Sequence, residues 1–239
     1  GWTLGVMATA AGGVAYSRPG AGITTADRYD AQPYARPELE ATARRPLGMR
    51  LSVAVRGYAA GVFSGDAILA QRRIYAAGAD PYQEMSDPFI RSVGAPLAGS
   101  ACWCRWQTPG GGDLRGFDQT VSSDRLATMS VELEGAVYQR KTSALLSRAA
   151  VALFADGGAL GDTRWIAGSS YDAVLAEWPD RWLGDAGVGV RFNNRIGQTS
   201  WQTRIDFPLF VSDAAYAIAQ THQRFAFERV VFSVSPVIR

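Results

Sequence analysis

From residue 126 to 138 the chain reads LATMSVELEGAVY. Ala127, Met129, Val131, Leu133, Gly135 and Val137 fall on one side of a two-residue period. Thr128, Ser130, Glu132 and Glu134 fall on the other. A period of two sends alternate side chains to opposite faces of a β-strand. The pattern recurs at 186–193, where Ala186, Val188, Val190 and Phe192 oppose Gly187, Gly189, Arg191 and Asn193. At 199–210, Thr199, Trp201, Thr203, Ile205, Phe207 and Leu209 oppose Ser200, Gln202, Arg204 and Asp206. At 51–59, Leu51, Val53 and Val55 oppose Ser52, Ala54 and Arg56; at 37–44, Leu39, Ala41 and Ala43 oppose Glu38, Glu40 and Thr42. At 144–156, Leu145, Val151 and Leu153 oppose Arg148 and Asp156. Two stretches depart from the rule. Residues 97–106 do not alternate, and 224–236 begins on Phe225 and Phe227 but resumes on Val230, Phe232 and Val234. A one-residue slip near Glu228 and Arg229 predicts a β-bulge.

The predicted strands run to roughly 9–13 residues, whereas a globular strand averages about 5–6. Each has one apolar face and one face carrying charge. Soluble sandwiches also alternate, but on shorter strands. Long strands of this character suit an outer-membrane barrel, with lipid outside and a polar lumen inside. Trp2, Trp182 and Trp201 stand near strand ends, where aromatic girdles form. No run of about 18 apolar residues exists, so a membrane-spanning helix is not expected. QRKTS at 139–143 and NRIGQ at 194–198 are short connections, while 157–185 is long and predicts a short helix around 173–178, ended by Pro179. Alternating short and long connections match periplasmic turns and outer loops.

Composition narrows the function. The chain has 239 residues, enough for one domain with a sizeable core, and 24 Lys and Arg against 22 Asp and Glu. No basic run is interleaved with aromatics, so no nucleic-acid partner is expected. The chain starts at Gly1 without an initiator Met or a signal-peptide pattern, as an internal cut or a mature terminus would. Cys102 and Cys104 flank Trp103, too close for a relaxed mutual disulfide, and with His222 alone they do not complete a zinc site. No nucleophile elbow, zinc-protease helix motif or phosphate-binding loop occurs, so neither an enzyme nor a cofactor is expected. Glu132 and Glu134 share one face, as two glycosidase acids might, but read as acids of the lumen wall.

One stretch remains, PGGGDLRGFD at 109–118. It is followed in order by VELE at 131–134, FADGG at 154–158, GVGVRF at 187–192, RIDFPL at 204–209 and a closing aromatic strand. Over roughly residues 48–236 this order resembles the C-terminal part of the bacterial surface antigen barrel superfamily, the BamA, TamA and FhaC-type outer-membrane translocases. The resemblance implies an all-β, antiparallel transmembrane barrel of sixteen strands, of which this chain supplies about ten. It implies that a long loop, residues 79–125, folds into the lumen and carries Leu114, Arg115, Gly116 and Phe117 at its tip. Arg115 would pair with Asp156 and Glu132. Gly110, Gly111 and Gly112 would let the loop turn sharply and approach other backbone. A partly hydrated lumen would set the cost of removing Arg115 at roughly 1–3 kcal/mol, between exposed and buried ion pairs.

The chain departs from the family pattern in three places. Residues 79–108 form a long insertion after 72–78, read as the strand leading into the loop. The family's periplasmic repeats are absent from the stretch. The C-terminus reads Pro236-Val237-Ile238-Arg239 rather than ending on an aromatic residue. The function implied is insertion, assembly or secretion of proteins at the bacterial outer membrane, with the lipid bilayer and unfolded outer-membrane or secreted proteins as partners. The alternatives are a barrel that only anchors an upstream patatin-like or peptidase domain, and a soluble β-rich binding protein.

Overall fold

A computed structural model describes residues 1–17, 30–64, 74–77, 111–117, 121–140, 145–161, 182–214, 217 and 223–236. These residues are all-β. Eight strands follow one another across a single antiparallel sheet: β1 (Thr3–Ser17), β2 (Asp30–Pro46), β3 (Leu51–Gly61), β7 (Arg125–Gln139), β8 (Leu146–Leu160), β9 (Trp182–Ile196), β10 (Thr199–Val211) and β11 (Val231–Pro236). The short β4 (Phe63–Ser64) adds to β2. Two further short strands, β5 (Ile74–Tyr75) and β6 (Ser122–Ser123), pair only with each other. Among the described residues β1 and β11 each have one neighbour, so the sheet is open.

The alternation read from sequence sets the two faces, with an inverted sense of burial. Along β7, Met129, Leu133 and Val137 are exposed, whereas Thr128, Ser130, Glu132 and Glu134 are buried. The same holds across the sheet: Leu39, Val151 and Leu153 face out, while Glu40, Arg56, Asp156, Arg191, Arg204 and Asp206 face in. In water, burial of apolar surface drives folding. Here charged side chains fill the inner side, and apolar ones cover the outside.

Strand ends sort by connection length to opposite ends of the sheet. Those joined through 47–50, 140–145 and 197–198 stand at one end; those joined through the much longer 18–29, 62–124, 161–181 and 212–230 stand at the other. At the long-loop end the interior holds an apolar cluster that includes Tyr58, Val62, Ile74, Leu114, Phe117, Leu126, Leu160, Leu183 and Val211.

Several local expectations change. β1 escaped the periodicity test because neither of its faces carries charge between Thr3 and Ser17. Within 72–78 the described Ile74–Tyr75 is a strand that lies off the main sheet, and Ile74 and Ala76 belong to the interior cluster. Loop 79–125 contains β6 within its span. The C-terminal slip is larger than one residue. Val231 pairs with Asp206 and Phe225 bridges Phe210, so five residues on one side oppose three on the other. The Arg229 guanidinium fills this kink and donates to the carbonyls of Arg224 and Gln223. Residues 97–106 (with Cys102 and Cys104), 173–178 and His222 lie outside the described residues.

Candidate functional site

The 111–117 segment lies against the inner side of the sheet and ends in a turn, in which the Phe117 amide donates to the Leu114 carbonyl (3.4 Å). The Gly112 amide donates to the Tyr75 carbonyl (3.2 Å) and the Leu114 amide to the Ala76 carbonyl (2.9 Å). The Ala76 amide in turn donates to Val121 (2.8 Å). Arg56 Nη2, whose guanidinium also pairs with Glu40 at 2.9 Å, donates to the Gly111 carbonyl at 2.7 Å. Phe117 forms an isolated antiparallel bridge with Ala217. Main-chain bonds of this kind hold a segment in place without reading its sequence.

The glycines work by absence of a side chain rather than by turning. A Cβ on Gly112 would run into the Ala76 carbonyl, and one on Gly111 into the Tyr58 ring. The residue with a left-handed backbone is Asp113, at φ 57°; aspartate tolerates that region better than most residues. The sharp turn expected of the glycines therefore falls one residue later. Gly110 lies outside the described residues. Gly116 is the tightest point of the tetrad: a Cβ there would sit 2.6 Å from Val211 Cγ1 and 2.8 Å from Asp185 Cβ.

The tetrad then divides its side chains. Leu114 and Phe117 enter the apolar cluster. Arg115 points into a group of charges and is 1% exposed. Its Nη1 donates to Glu132 Oε2 at 2.9 Å, its Nε lies 3.1 Å from Asp156 Oδ2, and Asp206 Oδ2 is 3.7 Å away. Its guanidinium carbon lies 4.0 Å from the centre of the Phe154 ring, a cation–π geometry. Burial by itself would lower the pKa of this guanidinium, but the Asp156, Asp206 and Glu132 carboxylates outweigh it and hold the pKa above its ordinary value.

Glu132 is the centre of the network. Its carboxylate takes Arg115, Arg191 at 2.8 Å and Arg204 at 3.2 Å. Arg191 and Arg204 are directly opposite each other on β9 and β10. Like charges in that position repel. Glu132 and Asp206 lie between them, with Asp206 2.5 Å from Arg191 and 3.5 Å from Arg204. Toward the short-turn end a second group, Arg44, Arg148 and Glu134, continues the charged lining.

The structure thus brings Gly111, Gly112, Leu114, Arg115, Gly116, Phe117, Glu132 and Asp156 together. Sequence reasoning did not single out Arg56, Phe154, Asp185, Arg191, Arg204 or Asp206 as members of the site. Arg56, Arg191, Arg204 and Asp206 already stood on assigned polar faces, so the signal was there. The missing information was strand register. Chemically, the site is a slot for one planar cation, rimmed by carboxylates and floored by an aromatic ring. Among the described residues no group of three or more His, Cys, Asp or Glu side chains is placed to hold a metal ion. Comparison of the chain with protein-family models, with curated proteins and with solved structures gave no match.

Proposed function

We propose that the chain is part of the wall of an outer-membrane β-barrel of the surface antigen superfamily, in which the 111–117 segment plugs a passage used to insert or secrete proteins. The observation that carries the reading is the inverted sheet. An apolar outer face is stable against lipid, and the charged inner face is stable only when its members satisfy one another. Dimensions agree with it. Trp182 and Phe63 are exposed toward the long-loop end, and Trp2 and Tyr138 toward the short-turn end. Ala127, on the same register row as Trp182, is 11 residues from Tyr138 along β7. At a rise of about 3.4 Å per residue and a tilt of about 40°, that is about 29 Å, close to the apolar band of about 25 Å in such barrels.

The test is depletion of the protein in its own cell, followed by quantitation of outer-membrane and secreted proteins. The reading requires a defined subset to fall, and to return with the wild-type gene but not with Arg115→Ala. An unchanged outer-membrane and secreted proteome would leave a barrel without transport activity, such as an anchor.

A further inference from the structure

The slot beneath the plug has a specificity of its own. With Arg115 removed, the inward groups around its position are Arg191 and Arg204 against Glu132, Asp156, Asp185 and Asp206, two cations among four carboxyls, all buried. The nearby Arg229 donates to the main-chain carbonyls of Gln223 and Arg224, keeps its charge and interacts electrostatically with Asp185, a third cation against the four carboxyls. No cation lies within ion-pair distance of Asp185 among the described residues, and Asp185 stands directly opposite Asp156. A vacated slot therefore keeps an excess of acid and selects a cation. The Phe154 ring forms the surface on which the guanidinium rests, its centre 4.0 Å from the guanidinium carbon of Arg115. A planar guanidinium can stack there and still pair with carboxylates at its edges; a lysine ammonium cannot do both.

The seats on either side of the slot are equally defined. Leu114 and Phe117 both lie in the apolar cluster that also holds Tyr58, Ile74, Leu126 and Leu160. Between the slot and the Phe117 seat, only a residue without a Cβ fits against Val211 and Asp185. The carbonyls of Tyr75 and Ala76 accept from the Gly112 and Leu114 amides, and the tetrad is held as a turn by the Phe117 amide on the Leu114 carbonyl.

From this we infer that the plug occupies a peptide-binding site, and that when it withdraws the site receives a turn-forming segment of a passing polypeptide in which an arginine is preceded by an apolar residue and followed by a small and then an aromatic one. The plug is then an internal competitor for the substrate. This rests on the passage proposed above, to which it adds the class of segment recognised.

The experiment uses the full chain, folded in detergent micelles, with four peptides carrying a photoreactive terminus: Leu-Arg-Gly-Phe, its Lys and Glu versions, and Leu-Arg-Val-Phe. Arg115→Glu sets a carboxylate against Glu132, Asp156 and Asp206 and so expels the plug. The expected result is at least tenfold more cross-linking of the Arg peptide to this variant than to wild type. The order expected is Arg above Lys, with the Glu and Val peptides at background. Equal labelling by the Arg and Glu peptides would overturn the inference, as would labelling of wild type and variant alike. If Arg115→Glu does not fold, hydrogen exchange at the Leu114 amide of wild type is read instead. The Arg peptide should accelerate it and the Glu peptide should not; no acceleration by the Arg peptide sinks the idea. None of these readouts depends on a bilayer or on transport, so loss of the passage reading and loss of this one are separable.

Discussion

At the scale of single residues, Arg115 controls the interior. The sequence alone suggested a wet lumen and a cost of roughly 1–3 kcal/mol for its removal, between the exposed and buried limits. Burial to 1% exposure places it at the buried limit. Arg115→Ala leaves Asp156 without its guanidinium and is expected to cost about 3–5 kcal/mol in equilibrium unfolding, the range for breaking a buried pair. Arg115→Lys should recover little, because one ammonium cannot span Glu132 and Asp156 while resting on Phe154. A cost below about 1 kcal/mol for the alanine variant would mean the network is solvated. Glu132→Gln should be worse than Asp156→Asn. Glu132 serves three guanidiniums, two of them facing each other, whereas Asp156 pairs with one. Gly116→Ala tests packing rather than charge. The added methyl has no free space between Val211 and Asp185, and overpacking of that kind costs about 1–3 kcal/mol. Thermal unfolding of the five variants, with the Leu114 amide followed by exchange, separates a loosened plug from a loosened sheet.

At the scale of the elements, alternation gave strand identity and facing for β2, β3, β7, β8, β9 and β10, because away from the rims, where Arg45 and Arg125 stand on the outer parity, each has charge on one side only. It failed for β1, where Gly5, Ala8, Ala10, Ala11, Gly12 and Gly13 leave neither face distinct. It also underestimated strand length, since β2 runs to 17 residues. The site was half legible. The family-like motif placed Arg115 with Asp156 and Glu132, and both acids stood on polar faces. The rest depends on which row each residue occupies. Register is set by bulges at 136–138 and 208–210 and by the turns, and none of these can be read from alternation. The facing itself makes a prediction. Val131 and Val190 lie in the middle of the outer face on β7 and β9, so Val131→Arg or Val190→Arg should destabilise the chain folded in lipid by about 2–4 kcal/mol, the midplane cost of a cation on a barrel. In Ser130→Arg the charge would instead enter the acid-rich interior beside Asp156, and loss of packing would be the main penalty. A negligible effect at both valines in lipid-folded protein would remove the lipid-facing assignment.

At the scale of the whole molecule, two arrangements fit an open sheet with an apolar outer face: one that meets lipid, and one that is covered by protein in a soluble assembly. They make different demands on the same positions. Along β7, residues 127, 129, 131 and 133 are outward and 128, 130, 132 and 134 inward. In a bilayer, a single cysteine moved along this strand, in a background without Cys102 and Cys104, should alternate in its surroundings with period two. Outward cysteines carrying a fluorophore should be quenched by a lipid-bound quencher, and most strongly at Val131, midway between the aromatic ends. Water-soluble thiol reagents should reach neither set: lipid shields the outward thiols, and the salt-bridged interior excludes the reagent from the inward ones. Expelling the plug with Arg115→Glu then distinguishes the faces. The inward thiols should become reactive to the water-soluble reagent, with the outward set unchanged. This follows because Leu114 and Phe117 belong to the apolar cluster at the long-loop end, and Arg115 is paired within the charge network. In a soluble assembly, detergent-free protein would stay in solution and lipid-bound quencher would reach no position on β7. Quenching of both parities alike would be equally damaging, because it would mean that the sheet has no interior at all.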